Sequence, residues 1–243
     1  MFLILALGMF PKAASADLLT FTGTGINTGL SAKAEFSLIN STTLKIVLTN
    51  TSTSLPSRLA GDAASNALLT TLAFKLPNNL NVLSGSAEVT AGSTLYGASG
   101  NISKEWGWGK SSSGLCCELV DPYTQFNDWV STKQPGTTQF KSGSLDGTSG
   151  ISGPDFGLAP TNYVSGGQEY IKSSATFTLA LSGPVPDLSF LNNGAVVEFG
   201  SDAAFLTSNN FNPPPPSGAP EPGAIALLGM GIAGLYRHRR RRA

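Results

Sequence analysis

The chain has 243 residues, with 41% hydrophobic and 12% charged residues, 28 Gly and 15 Pro, and fifteen Lys+Arg balance fifteen Asp+Glu. A charged fraction roughly half the usual quarter excludes charge-driven disorder, and the length admits one domain of about 200 residues or at most two small ones. The zero net charge hides an asymmetry: Arg237, Arg239, Arg240, Arg241 and Arg242 crowd the last seven positions, while residues 17–219 hold nine basic and fourteen acidic side chains, so nucleic acid is not an expected partner of the acidic body.

Met1 to Phe10 is almost wholly apolar and runs into Pro11-Lys12-Ala13-Ala14-Ser15-Ala16. An apolar stretch of this length before Ala14-x-Ala16 has the form of a secretory signal peptide over residues 1–16, read by the export translocon and cut before Asp17. It is too short to span a hydrocarbon core of about 30 Å. No Lys or Arg precedes the run, so either the amino terminus supplies the positive end or the start lies upstream.

Residues 17–211 show little helical periodicity and much alternation. Leu19-Thr20-Phe21-Thr22 alternates; Ala34 to Ile39 and Leu44 to Thr49, joined through Asn40-Ser41-Thr42, read as a hairpin; Leu68–Leu76, Ala87–Ala91, Ala175–Leu181 and Ala195–Phe199 are further strands. Turn residues such as Pro77-Asn78-Asn79, Ser182-Gly183-Pro184 and Asn192-Asn193-Gly194 punctuate them. The pattern predicts an all-β domain, an antiparallel β-sandwich of jelly-roll or Ig-like type with seven to ten strands. Two small β domains split near 110–150 are the alternative. Asp62 to Thr71 reads as a short helix or loop, and Ser142 to Gly167, rich in Gly, Ser and Pro, as a long surface loop.

The body lacks histidine, which removes Ser-His-Asp and Cys-His catalysis and His-ligated zinc. No metal site and no cofactor is expected. Asp121, Asp128, Asp146 and Asp155 are calcium candidates without supporting spacing. Glu105, Glu118, Asp121 and Asp128 lie close in sequence to Trp106, Trp108, Tyr123 and Trp129, the residue types of a glycosidase site, but solvated loop carboxylates explain them more simply. Trp106-Gly107-Trp108 places both indoles on one face of a strand. With Trp129 they are either a stacking platform for carbohydrate or part of the core. The body is therefore expected to be non-enzymatic, with carbohydrate binding as the alternative and hydrolysis a lesser one.

Cys116 and Cys117 are adjacent, so their Cα atoms stand closer than an ordinary disulfide wants. A strained vicinal bond, pairing to another chain and two free thiols all stay open. Three sequons begin at Asn40, Asn50 and Asn101.

After Asn212 come Pro213 to Pro216 and Ser217-Gly218-Ala219, so that residues 212–219 form a stiff, extended linker. Then follow Pro220-Glu221-Pro222, the apolar run Gly223 to Tyr236 and the arginine cluster of residues 237–243. As a helix the run measures about 21 Å. Tyr236 and snorkelling arginines extend its reach and hold that end on the cytoplasmic side of a membrane. Gly229-Met230-Gly231-Ile232-Ala233-Gly234 matches a dinucleotide fingerprint, but without the strand, helix and distant acid that motif needs it reads as small residues in a membrane helix.

The order Pro-Glu-Pro, short apolar helix and arginine cluster resembles the PEP-CTERM sorting signal of Gram-negative bacteria, over roughly the last 24 residues. The resemblance implies an exosortase-type enzyme that recognises Pro220-Glu221-Pro222 and processes the chain nearby. It also implies a final place at the cell surface, outer membrane or extracellular matrix, and a link to biofilm and exopolysaccharide. An ordinary single-span anchor gives nearly the same location.

Overall fold

The computed structural model describes residues 16–56, 59, 64–96, 102–110, 125–132, 144–147, 156–162, 169–200 and 204–212. The chain divides into a body, Met1–Asn212, and a second unit, Pro213–Ala243, which lies outside the described residues together with the predicted membrane helix. No helix among the described residues is long and apolar enough to cross a membrane.

The body is built of strands and short 3-10 turns. One sheet has the order β1-β2-β3-β11-β5, made of β1 (Ala16–Thr22), β2 (Ser31–Asn40), β3 (Thr43–Asn50), β11 (Ser174–Leu181) and β5 (Val82–Val89). The other runs β13-β12-β4-β9-β10-β6, made of β13 (Ala204–Thr207), β12 (Val196–Phe199), β4 (Leu69–Phe74), β9 (Leu158–Ala159), β10 (Tyr170–Lys172) and β6 (Thr94–Tyr96). A branch joins it where β8 (Asp128–Ser131) pairs with both β4 and β7 (Gly107–Lys110).

Period-two alternation explains the first sheet. In β3, Leu44, Ile46 and Leu48 are buried, while Lys45, Val47 and Thr49 face outward. Cross-strand partners Phe36 and Phe177 point inward beside Ile46. The outward rows of Thr, Ser, Lys and Glu keep the other face wet, as expected of an antiparallel sheet covered on one side. The predicted hairpin is present, and Asn40 Oδ1 accepts the Thr42 N–H at 2.9 Å to close its turn.

The second sheet breaks this pattern. All six residues of β4 and all four of β8 and β12 are buried, so these strands are covered on both faces. Their inner side shares one core with the first sheet, with Phe36 edge-on to Phe74 at 5.6 Å between ring centroids. A bulge in β4 lets both Leu69 and Leu72 enter that core: Thr70 is the extra residue, and its hydroxyl bonds the carbonyls of Glu198 and Gly200.

Three expectations are corrected. The strands number thirteen among the described residues, because short ones such as β6, β9, β10 and β13 lack a sequence signal. The fold is not purely antiparallel, since β9 and β10 run parallel. The stretch 142–167 is not all surface loop: Leu145, Phe156 and Leu158 are buried, β9 completes the second sheet, and Ser144 bridges Gly107. Within 62–71, a 3-10 turn at Ala64–Ala67 gives way to β4.

Two devices tie the sheets together. Ser173, at φ 85°, is the single residue between β10 and β11 and turns the chain from one sheet to the other. Asn50, 2% exposed at the end of β3, donates from Nδ2 to the carbonyls of Ala67 and Leu158 at 3.0 and 2.7 Å, while its Oδ1 accepts the Ser52 N–H. Asn50→Ala strands two buried acceptors and a donor, and is expected to cost about 2–4 kcal/mol in urea unfolding. A loss below 1 kcal/mol would remove the stapling role. The same burial withdraws Asn50 from any glycan.

The first and last described segments of the body meet. Phe21 of β1 bridges Ser208, and Asn209 donates its backbone N–H to the Thr20 carbonyl and its Nδ2 to Thr20 Oγ1. Phe211 then packs against Phe126 at 5.4 Å and over Gly194, where a Cβ would stand 3.0 Å from that of Phe211.

Candidate functional site

The three indoles proposed as a carbohydrate platform do not form one. Trp106 is fully buried, edge-on to Phe177 at 4.7 Å, with Nε1 donating to the Phe156 carbonyl. Trp108 lies in the same core, on the same side as Trp106, as alternation requires. Trp129 points to the other side of the second sheet, into a small cluster with Ala73, Phe126 and Val196. Opposite it Gly109 has no side chain, and a Cβ there would meet the indole at 2.4 Å. No ring of the three offers an open face, so the core reading replaces the platform reading.

The two described carboxylates of that group, Glu105 and Asp128, do not pair either. Glu105 lies in the turn before β7, and Asp128 faces Lys110 at the far end of that strand, so β7 lies between them. Glu118 and Asp121 lie outside the described residues, as do Asp155, Cys116, Cys117 and Ala14. Asp146 accepts the Ser144 hydroxyl at 2.8 Å. Among the described residues no three His, Cys, Asp or Glu side chains gather as a metal site.

Asp128 is a buried acid with a perturbed carboxyl. It is 3% exposed, and desolvation pushes its carboxyl above the usual carboxylate range, against the opposing pull of the Leu76 N–H at 2.9 Å and of Lys110. Lys110 Nζ stands 3.4 Å from Oδ1 and donates to the Leu80 carbonyl at 2.7 Å.

A second buried acid escaped the sequence reading. Glu198, Thr71 and Ser131 lie in one cross-strand row on β12, β4 and β8. Thr71 Oγ1 donates to Glu198 Oε2 at 3.1 Å, and its single proton being spent there, Ser131 Oγ must donate to Thr71 at 2.8 Å. Ser131 is fully buried, so this row of hydrogen bonds is not open to solvent there. The available signal was a lone carboxylate inside Val196-Val197-Glu198-Phe199.

A cavity of about 220 Å³ opens near Asn50, lined by Leu30, Leu55, Ala67 and Pro160 with Ser52, Ser54 and Asn162. Among the described residues that line it none is ionisable, and its volume falls below the roughly 300 Å³ where ligand pockets begin.

What remains is the chain that leaves the body after Asn212. Residues 219–242 match the PEP-CTERM protein-sorting motif. The PEP-CTERM match includes Pro220, Glu221, Pro222 and the arginines from Arg237 to Arg242. This motif implies export, an exosortase as processing partner, and a surface or extracellular destination. No curated protein and no solved structure matches the chain.

Proposed function

We propose that this protein is a non-enzymatic component of the cell surface or extracellular matrix, with its β body as the working part and its tail as the address. The observation that carries the reading is the PEP-CTERM match at residues 219–242, placed just beyond a body whose last described residue is Asn212. The body has no histidine, and its indoles serve the core rather than a ligand.

In this reading residues 1–16 direct export, and cleavage before Asp17 removes one residue from the edge strand β1. Gly223 to Tyr236 then crosses the inner membrane with the arginines inside. The sandwich belongs to the jelly-roll or Ig-like class, and its wet, hydroxyl-rich first sheet suits life beside secreted polysaccharide in a biofilm. Intact-mass measurement of the protein recovered from the cell exterior tests this. The expected chain begins at Asp17 and lacks Arg237 to Arg242. A cytoplasmic protein that retains both ends would overturn it.

A further inference from the structure

The far end of the β7–β8 hairpin brings an amine and a carboxyl together inside the protein. Lys110 and Asp128 are direct cross-strand partners, with Nζ 3.4 Å from Oδ1. Asp128 also faces Phe74 of β4, and Leu76 and Leu80 beside the pair are buried. Each reacting group is held by a backbone partner: the Leu76 N–H points at Oδ2, and the Leu80 carbonyl receives Nζ. Nζ thus lies against the carboxyl whose Cγ it would attack, and groups held close and fixed in direction are what an intramolecular condensation requires.

We propose that Lys110 and Asp128 become joined by an amide bond, formed by the folded protein itself. A proton passes from the Lys110 ammonium to Oδ1 across their contact, leaving a neutral amine and a carboxylic acid. The amine lone pair attacks Cγ, and the charge that develops on Oδ2 is received by the Leu76 N–H, as in an oxyanion hole. A further proton moves from nitrogen to the Oδ1 hydroxyl, the C–Oδ1 bond breaks, and one water leaves. The new Nζ–Cγ bond completes the balance, with no oxidant and no cofactor.

Burial drives the step. In water both ions are well hydrated and do not condense. Here desolvation disfavours the charged pair, while the amide product carries no charge. Burial holds the Asp128 carboxyl above its ordinary range, which favours the acid form that is attacked. Lys75 is the other cation that acts on this carboxyl, and it works against the effect. The side chain of Lys110 keeps 20% exposure, which leaves the released water a way out. The bond locks β7 to β8, and thereby to β4. The adjacent Cys116 and Cys117 cannot tie separate elements in this way.

Mass spectrometry of the purified full chain, unfolded and reduced, decides the matter. The expected mass is lower than that of the sequence by one water. Trypsin is expected to leave residues 105–133 as one peptide, uncut after Lys110 and lighter by the same water. Lys110→Arg and Asp128→Ala should each restore the full mass. A wild-type mass equal to the sequence, with cleavage after Lys110, means an ordinary ion pair and overturns the proposal, whatever the variants do.

Discussion

Replacing Pro220, Glu221 and Pro222 by alanine is expected to slow tail processing roughly a hundredfold or more and to leave the uncut chain in the inner membrane. The reason is chemical. Two prolines fix φ on either side of Glu221 and remove two backbone donors, which presents one carboxylate on a stiff, extended segment. Glu221 is the sole acid after Asp202, so an enzyme that reads a charge here has one charge to read. Alanines remove the carboxylate and the stiffness together and offer a helix former in their place. The body should be untouched, because it closes at Phe211, nine residues upstream, through its contact with Phe126 and Gly194. Pulse-chase labelling reads the processing rate, and thermal unfolding of the body supplies the control. Undiminished processing of the triple variant would remove the sorting role of these residues.

Trp106→Ala is expected to lower stability by about 3–5 kcal/mol, a large part of the 5–15 kcal/mol that holds a typical domain. The indole is fully buried against Phe177, and its loss leaves a cavity and an orphaned Phe156 carbonyl. For a body of this size the melting temperature should fall by roughly 10 °C or more. Trp106→Phe should recover part of the loss by refilling the space. The experiment also separates the two roles this residue invited. A carbohydrate platform predicts a stable variant that no longer binds sugar, whereas a core indole predicts a weakened fold. A melting curve within 2 °C of wild type would contradict the core assignment.

Strands with one wet face were legible in the amino-acid order. β3 and β11 alternate because one side meets the core and the other meets water, and that difference is written directly into side-chain polarity. Strands covered on both sides erase the code. β4, β8 and β12 mix Thr, Ser, Glu and Asp with apolar residues, and these polar groups find hydrogen bonds inside instead of water outside: Thr70 at the bulge, Thr71 and Ser131 with Glu198, Asp128 with the Leu76 N–H, although the Trp129 indole N–H on β8 is buried without one. β9 has only Leu158 and Ala159 in a segment that reads as loop, and its pairing with β10 and β4 depends on residues distant in the chain.

The sites divide in the same way. Pro220-Glu221-Pro222, the apolar run and the arginines were readable because an address is recognised as a linear segment, whose chemistry lies in the order of residues. The sequence by itself therefore determined the sorting motif and the mostly β character, since each follows from period or local order. Only the tertiary structure decided that the indoles lie inside, that Glu105 and Asp128 stand apart, and that Lys110 meets Asp128 across a hairpin. Those outcomes depend on which strands pair and which face is covered, and such long-range choices are made by packing over the whole core rather than by any local run of residues.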